Sequence, residues 1–345
     1  MTRVLVVDDS AFMRHCISRA LSAQPDLEVV GTATDGIEAL ELVRRLRPDV
    51  VTLDVEMPRL DGLRTLEILM RDMPLPVVML SSLTEAGAPA TIRALELGAV
   101  DFVTKPAPPA VGVRQVEPQL VAAVRAAAQA RVPGRVPTLT PAGREQAGVR
   151  AGRAHARANQ AVAIGCSTGG PRALLEVIPR LPPDLPATVL VVQHMPAGFT
   201  HSLAERLDHV STLPVKEAQH GDLAIPGRVL LAPGGRHMEL DPAGRVRLTD
   251  GPPVHGVRPS VDVLLSSLPP LFGERCVAVI LTGMGCDGAA GAARVRAAGG
   301  WVLVEDPATA TVYGMPRAVA ERGLAHRQAP LPAIADAIQE ALLHR

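Results

Sequence analysis

The sequence predicts an α/β protein built from two parallel, helix-covered sheets, and three observations carry that expectation. Short apolar runs alternate with segments of helical spacing in both halves of the chain, the pattern of a buried parallel sheet with helices on its faces. Acidic and other polar residues follow directly on those apolar runs, where an open α/β sheet gathers its ligand-binding groups. A stretch rich in Arg, Pro, Ala and Gly interrupts the alternation between about residues 107 and 158. The expected division is therefore an N-terminal domain over 1–130, a flexible linker over 131–158 and a C-terminal domain over 159–345.

The first domain alternates regularly. Strand-like runs fall at Arg3–Val7, Leu27–Thr32, Val50–Leu53, Leu75–Leu80 and Ala99–Val103. Helical spacing covers Ala11 to about Gln24, Gly36–Leu46, Gly62–Asp72 and Ala90–Leu97. Five parallel strands, doubly wound, are the result. Asp8 and Asp9 end the first strand, Asp54 the third, Ser81 the fourth and Lys105 the fifth. Three carboxylates at one sheet edge repel each other unless a cation lies among them, and an all-oxygen set suits a hard ion such as Mg²⁺. A carboxylate beside Mg²⁺ and an ammonium is equipped to accept a phosphoryl group. The chain has only two lysines, Lys105 and Lys216, so a compact point charge at Lys105 reads as a requirement of that position.

Pro118–Ala130 has the composition of a last helix for this domain. From Arg131 the chain reads as a linker. Residues 107–158 carry eight arginines against Glu117 and Glu145, which without aromatics or an apolar face indicates a solvated spacer.

The C-terminal domain opens on Ala161–Leu174, AVAIGCSTGGPRAL. A strand-length apolar run meets a Gly-rich turn, and Pro171 suits a helix start. Gly165–Gly169 fits G-x-S-x-G, which lifts the hydroxyl of Ser167 out of the sheet. Helix-start N–H groups there can face an oxyanion; a phosphate-binding or purely structural turn is the competing reading. Further strands are expected at Thr188–Val192, Cys276–Leu281 and Trp301–Val304, and helices at Thr200–Asp208, Val261–Ser267, Ala289–Ala298 and Leu331–Leu343. Arg228–Leu231, Arg236–Leu240 and Arg245–Leu248 read as a small antiparallel insert.

Ser167, His194 and Asp287 each follow an apolar run. If those strands are parallel neighbours, the three side chains meet as nucleophile, general base and orienting acid. Thr168 and Met284 are the candidate backbone donors for the oxyanion. His220, His237, His255, Asp222 and Asp262 compete for the base and acid roles, from turn-rich segments or without the strand-end position. Cys166 beside the serine reads as a packing residue.

Composition narrows the function. Lys+Arg and Asp+Glu are both 35 and aromatics are 2%, which argues against a nucleic-acid surface. Residues 159–345 hold 16 basic and 17 acidic residues, with no basic recognition helix for a DNA-binding output domain. A non-catalytic scaffold would be expected to lose a triad member, and all three positions are filled. Four cysteines without metal-ligand spacing suit a reducing cytoplasm, and no apolar run has membrane-span length.

Two resemblances sharpen these readings. VLVVDDS, VVTLDVEMPRLDGL, PVVMLSS and GAVDFVTKP resemble response-regulator receiver domains. That likeness implies Asp54 as phospho-acceptor, Asp8, Asp9 and Asp54 around Mg²⁺, Ser81 and Phe102 at the switch positions, and Lys105 on the phosphoryl group. AIGCSTGGPRAL, VVQHMPAGFT, LAPGGRHMEL, RPSVDVLLSS and ILTGMGCDGAAG resemble the catalytic domain of chemotaxis protein-glutamate methylesterases. The resemblance places Ser167, His194 and Asp287 on that family's triad. It implies a phosphorylation-activated hydrolase with no cofactor in its catalytic domain. The expected substrate is glutamate γ-methyl esters, and selected glutamines, on chemoreceptor helices. A histidine kinase is the expected phosphodonor, with neither nucleic acid nor membrane insertion involved.

Overall fold

The computed structural model describes residues 1–81, 87–105, 113–131 and 157–343, with side chains from residue 117 in the third of these spans. The chain forms two compact units, Met1–Pro137 and Thr138–Arg345. Most of the expected linker lies outside the described residues.

The first unit runs β1 (Thr2–Val7), α1 (Ala11–Ser22), β2 (Leu27–Ala33), α2 (Gly36–Leu46), β3 (Val50–Asp54), α3 (Gly62–Asp72), β4 (Val77–Ser81), α4 (Gly87–Leu97), β5 (Asp101–Thr104) and α5 (Val113–Gln129). Its sheet has the order β2-β1-β3-β4-β5, with every pairing parallel. Central strands β3 and β4 are buried along their whole length, which explains why they read as unbroken apolar runs rather than alternating ones. Helix starts are set by side-chain caps: Ser10 accepts from Met13 N, Asp35 from Ile37 N and Glu38 N, and Asp61 from Arg64 N. Such caps satisfy donors the helix itself leaves open. Helix α5 begins five residues before Pro118, which lies inside it. Proline forfeits an i→i−4 hydrogen bond at such an interior position, yet the helix runs through it, so Pro118 is not the boundary the sequence suggested.

The second unit runs β6 (Gln160–Cys166), α6 (Gly170–Val177), β7 (Ala187–Gln193), α7 (Phe199–Val210), β8 (Val215–Glu217), β9 (Val229–Leu231), β10 (His237–Leu240), β11 (Val246–Thr249), α8 (Val261–Ser267), α9 (Pro269–Phe272), β12 (Cys276–Ile280), α10 (Ala289–Ala297), β13 (Trp301–Glu305), α11 (Met315–Ala320), β14 (Arg327–Ala329) and α12 (Ile334–Leu343). Seven strands form a parallel sheet of order β14-β13-β12-β6-β7-β9-β8. The antiparallel insert is smaller than the sequence suggests. Among the strands of the described residues, β10 and β11 alone pair that way, whereas β9 joins the main sheet through Val189↔Val229 and Val191↔Leu231. Its VLL is fully buried, as befits a sheet interior rather than a surface hairpin.

One face of the sheet packs Ala161, Leu190, Ile280 and Val304 against Val261, Leu264 and Leu265 of α8. Burying each such Leu or Ile contributes about 1.5–3 kcal/mol before entropic costs. This packing fixes α8 across the sheet, and the start of α8 is where the site is organised.

Candidate active site

Strand β6 lies between β12 and β7, parallel to both. Cys166 pairs with Gln193, and Gly165 with both Val192 and Ile280. The three strands therefore end at one level, and Ser167, His194 and the 281–288 loop leave the sheet side by side. His194 N donates to Cys166 O at 3.1 Å and Ser167 N to Thr282 O at 3.0 Å. Gln193 Nε2 donates to the carbonyls of Ser167 and His194, each at 3.0 Å. The backbone under Ser167 and His194 is thus cross-tied.

The loop returns Asp287 to His194: His194 Nε2 and Asp287 Oδ2 are 2.8 Å apart. Asp287 is buried and takes a full set of donors. Oδ1 accepts from Ser260 Oγ at 2.8 Å, Asp262 N at 3.0 Å and Gly288 N at 3.0 Å, and Oδ2 from Val261 N at 2.7 Å. Burial pushes its pKa up, but His194 and the N–H groups of Asp262 and Val261 overcome this and hold it below the ordinary aspartate value. Asp287 is therefore an ionised anchor, and with Nε2 committed to it the other ring nitrogen of His194 is left as the acceptor.

Close approach shapes the same corner. A Cβ on Gly283 would lie 2.8 Å from Ser167 Cβ and 2.4 Å from Met315 Sδ, so the loop can pass beside the serine only as glycine. Thr168 is buried, and its carbonyl accepts from Thr282 Oγ1 at 2.8 Å. Met284 stands out of the loop, 49% exposed. Cys166 is fully buried and burial pushes its thiol pKa up, so it packs rather than reacts.

The competing residues are occupied elsewhere. His237 is buried between Pro252 O and Ser260 N. His220 Nδ1 accepts from Leu248 N, and Asp222 pairs with Lys216. His255 hydrogen-bonds Asp262, and ligand atoms of His255, Asp262 and Asp287 all lie within 4.8 Å of one another.

In the first unit, Asp54 and Asp8 flank Lys105: Nζ lies 2.6 Å from Asp54 Oδ2 and 2.7 Å from Asp8 Oδ2. Oxygens of Asp8, Asp9 and Asp54 all lie within 4.8 Å of one another, a hard-donor set that fits a small divalent cation. Burial lifts the Asp54 pKa to about 6, against the opposing pull of Lys105. A Cβ on Gly62 would lie 1.9 Å from Asp54 O, so a glycine there lets α3 seat against this strand end. Ser81 Oγ accepts from Thr91 Oγ1 at 2.7 Å, and Phe102 is half-buried on β5.

Comparison with known proteins decides the family. Residues 162–338 match the CheB methylesterase family and residues 4–117 the response regulator receiver domain. A protein-glutamate methylesterase/protein-glutamine glutaminase of Symbiobacterium thermophilum is 56% identical over 99% of this chain and 97% of its own. One from Pyrococcus abyssi is 44% identical over 99% and 93%. The chain belongs to the protein-glutamate methylesterase/protein-glutamine glutaminase family. The crystal structure of the Thermotoga maritima CheB methylesterase catalytic domain is 46% identical, with a TM-score of 0.51, covering 52% of this chain and 97% of that one.

This methylesterase also uses residues that sequence reasoning did not single out. Thr282 contacts the backbone of both Ser167 and Thr168, and Glu305 Oε2 accepts Thr282 N at 2.8 Å. Glu305 is wholly buried, which lifts its pKa to about 7. The available signal was a Glu ending the apolar run WVLVE, the same strand-end placement that marked Asp54. Ser260 caps α8 and binds Asp287, a role that needs the fold to be seen.

Proposed function

We propose that Ser167, His194 and Asp287 hydrolyse the γ-methyl ester of glutamate side chains, and the amide of selected glutamines, on the signalling helices of bacterial chemoreceptors. The observation that carries this reading is the 2.8 Å contact between His194 and Asp287, made from loops on either side of the strand that leads into Ser167. His194 takes the Ser167 proton through the ring nitrogen not held by Asp287, and the serine oxygen attacks the side-chain carbonyl. Backbone N–H groups at Thr168 and Met284 receive the oxyanion. Protonated His194 returns its proton to the departing methanol or ammonia, and water repeats the sequence on the acyl-serine.

The receiver unit supplies control. Asp54 accepts a phosphoryl group from the histidine kinase of the chemosensory complex, with Lys105 on the transferred oxygens and Ser81 and Phe102 answering the new charge. Asp8, Asp9 and Asp54 would hold Mg²⁺, which when bound neutralises charge on the phosphoryl oxygens. With a methylesterase output unit, the DNA-binding reading falls away.

The test is methanol release from methyl-labelled receptor, with and without a small phosphodonor. Ser167→Ala should abolish release, by about 10³-fold or more, while Asp54 still becomes phosphorylated. Wild-type turnover in Ser167→Ala would overturn the serine mechanism.

A further inference from the structure

A second carboxylate–imidazole pair stands beside the triad, and it carries a thiol. His255 Nε2 lies 3.0 Å from Asp262 Oδ2, and Cys286 Sγ lies 3.8 Å from His255 Nδ1. The carboxylate is fixed, because Asp262 Oδ1 accepts Gly291 N at 2.6 Å and its side chain is only 10% exposed. The imidazole is 43% exposed and Cys286 is half-buried, so the pair stands at the surface. One tautomer serves the whole line: Nε2–H donates to Asp262, which leaves Nδ1 to accept the thiol proton. Nucleophile, base and orienting acid then stand in the order that activates a cysteine.

We propose that Cys286, His255 and Asp262 form a thiol-modification site, at which a hydroperoxide oxidises Cys286 and thereby shuts the neighbouring esterase. The thiol gives its proton to His255 Nδ1. The thiolate sulfur attacks one peroxide oxygen and the O–O bond breaks, leaving a sulfenic acid on Cys286 and hydroxide, which recovers the proton from His255 as water. Sulfur loses two electrons and the peroxide gains them.

Position supplies the coupling. Cys286 adjoins Asp287, the anchor of His194, and Met284 lies two residues before it. Asp262 N itself donates to Asp287 Oδ1. An added polar group on Cys286 therefore displaces the loop that holds both the acid and a proposed oxyanion donor. The other cysteines do not share this setting: Cys166 and Cys276 are fully buried, and burial raises both thiol pKa values.

The regulatory half of the proposal rests on the esterase reading above; the reactivity half does not. The full-length folded protein is treated at pH 7 with substoichiometric iodoacetamide, and separately with hydrogen peroxide plus a sulfenic-acid trap, and labelled peptides are quantified. Cys286 should react at least ten-fold faster than Cys16, the other half-buried cysteine. His255→Asn should slow Cys286 by ten-fold or more and leave Cys16 unchanged; asparagine tolerates the positive φ of 52° at that position. Asp262→Asn should slow it less. Equal rates at Cys286 and Cys16, or no change in His255→Asn, would overturn the site. Peroxide should suppress methanol release in the wild type, reversibly by a thiol reductant, but not in Cys286→Ser. Unchanged release from peroxide-labelled wild type would overturn the regulation alone. Absent release from untreated protein would instead indict the esterase reading, with the labelling result still deciding the thiol.

Discussion

Asp54 and Asp287 are alike in burial and end up with opposite chemistry. Asp54 ends the central strand β3, Asp287 lies in the loop between β12 and α10, and each is buried. Asp54 has one ammonium at 2.6 Å, a second carboxylate sharing that ammonium and a long contact from Glu56 N at 3.4 Å. Burial wins there, and its pKa rises to about 6. Asp287 has three backbone N–H groups, the Ser260 hydroxyl and His194. The donors win, and its pKa falls. Both carboxylates are buried, and the number of donors decides whether burial raises the pKa or is overcome.

The largest effect that sharpens this contrast is on catalysis. Asp287→Asn keeps the volume and removes the charge. In either orientation its amide nitrogen meets a donor: Ser260, Asp262 and Gly288 on one side, Val261 and His194 on the other. Loss of the held tautomer is worth about 10⁴-fold in the serine-protease triad, and a drop of roughly 10²–10⁴-fold in methanol release is expected here. A change under ten-fold would show that the anchor is dispensable.

Next comes the metal. Chelating divalent ions should cut phosphoryl uptake at Asp54 by about 10²-fold or more, because the clustered acidic oxygens then face the incoming phosphate unneutralised. Basal hydrolysis should not change, since Asp287, although it lies with His255 and Asp262 in a cluster of potential ligands, already accepts from His194, Ser260, Val261, Asp262 and Gly288 and carries no metal in the proposed mechanism. Esterase activity that vanished with the chelator would place a required ion in the second unit.

Much of this was legible because parallel sheets concentrate information at strand ends. Helices α2, α3 and α8 run over the residues that their periodicity predicts. Ser167, His194, Asp8 and Lys105 follow a strand directly and Asp54 ends one, as their sequence places suggested, whereas Asp287 does not follow β12 directly but lies in the loop beyond Ile280. What stayed hidden was contact made across the fold. β8 and β14 are three-residue strands, VKE and RQA, too short and polar to show a period. Arg228–Leu231 showed a strand but not its partner, because pairing direction depends on which edge is free. Ser260 and Thr282 act through hydrogen bonds 27 and 114 residues away in sequence, and no local pattern encodes such a distance.

The smallest effect is on stability, and here the two carboxylates should differ in sign. Asp54 has a folded pKa of about 6, above the ordinary aspartate value of 3.8. A raised value favours the fold below the unfolded pKa, and that contribution is lost as pH rises through 6. Asp54→Asn removes the loss, so at pH 7.5 it should raise stability by roughly 1–2 kcal/mol, less than the pKa difference alone implies because Lys105 gives up an ionic partner. The gain should shrink as pH falls from 6 towards 4. Asp287 has a lowered folded pKa, so its contribution is present above the unfolded value and is lost as pH falls through the folded one. Asp287→Asn should therefore cost about 2–3 kcal/mol at pH 7.5, the ordinary penalty for unsatisfied buried donors. Calorimetry of the full chain reads both, and the two substitutions should move different unfolding transitions, since the residues lie in different compact units. Stabilisation by both substitutions would mean that burial governs both sites, and loss of stability from both would mean that Lys105 outweighs burial at Asp54 as the donors do at Asp287.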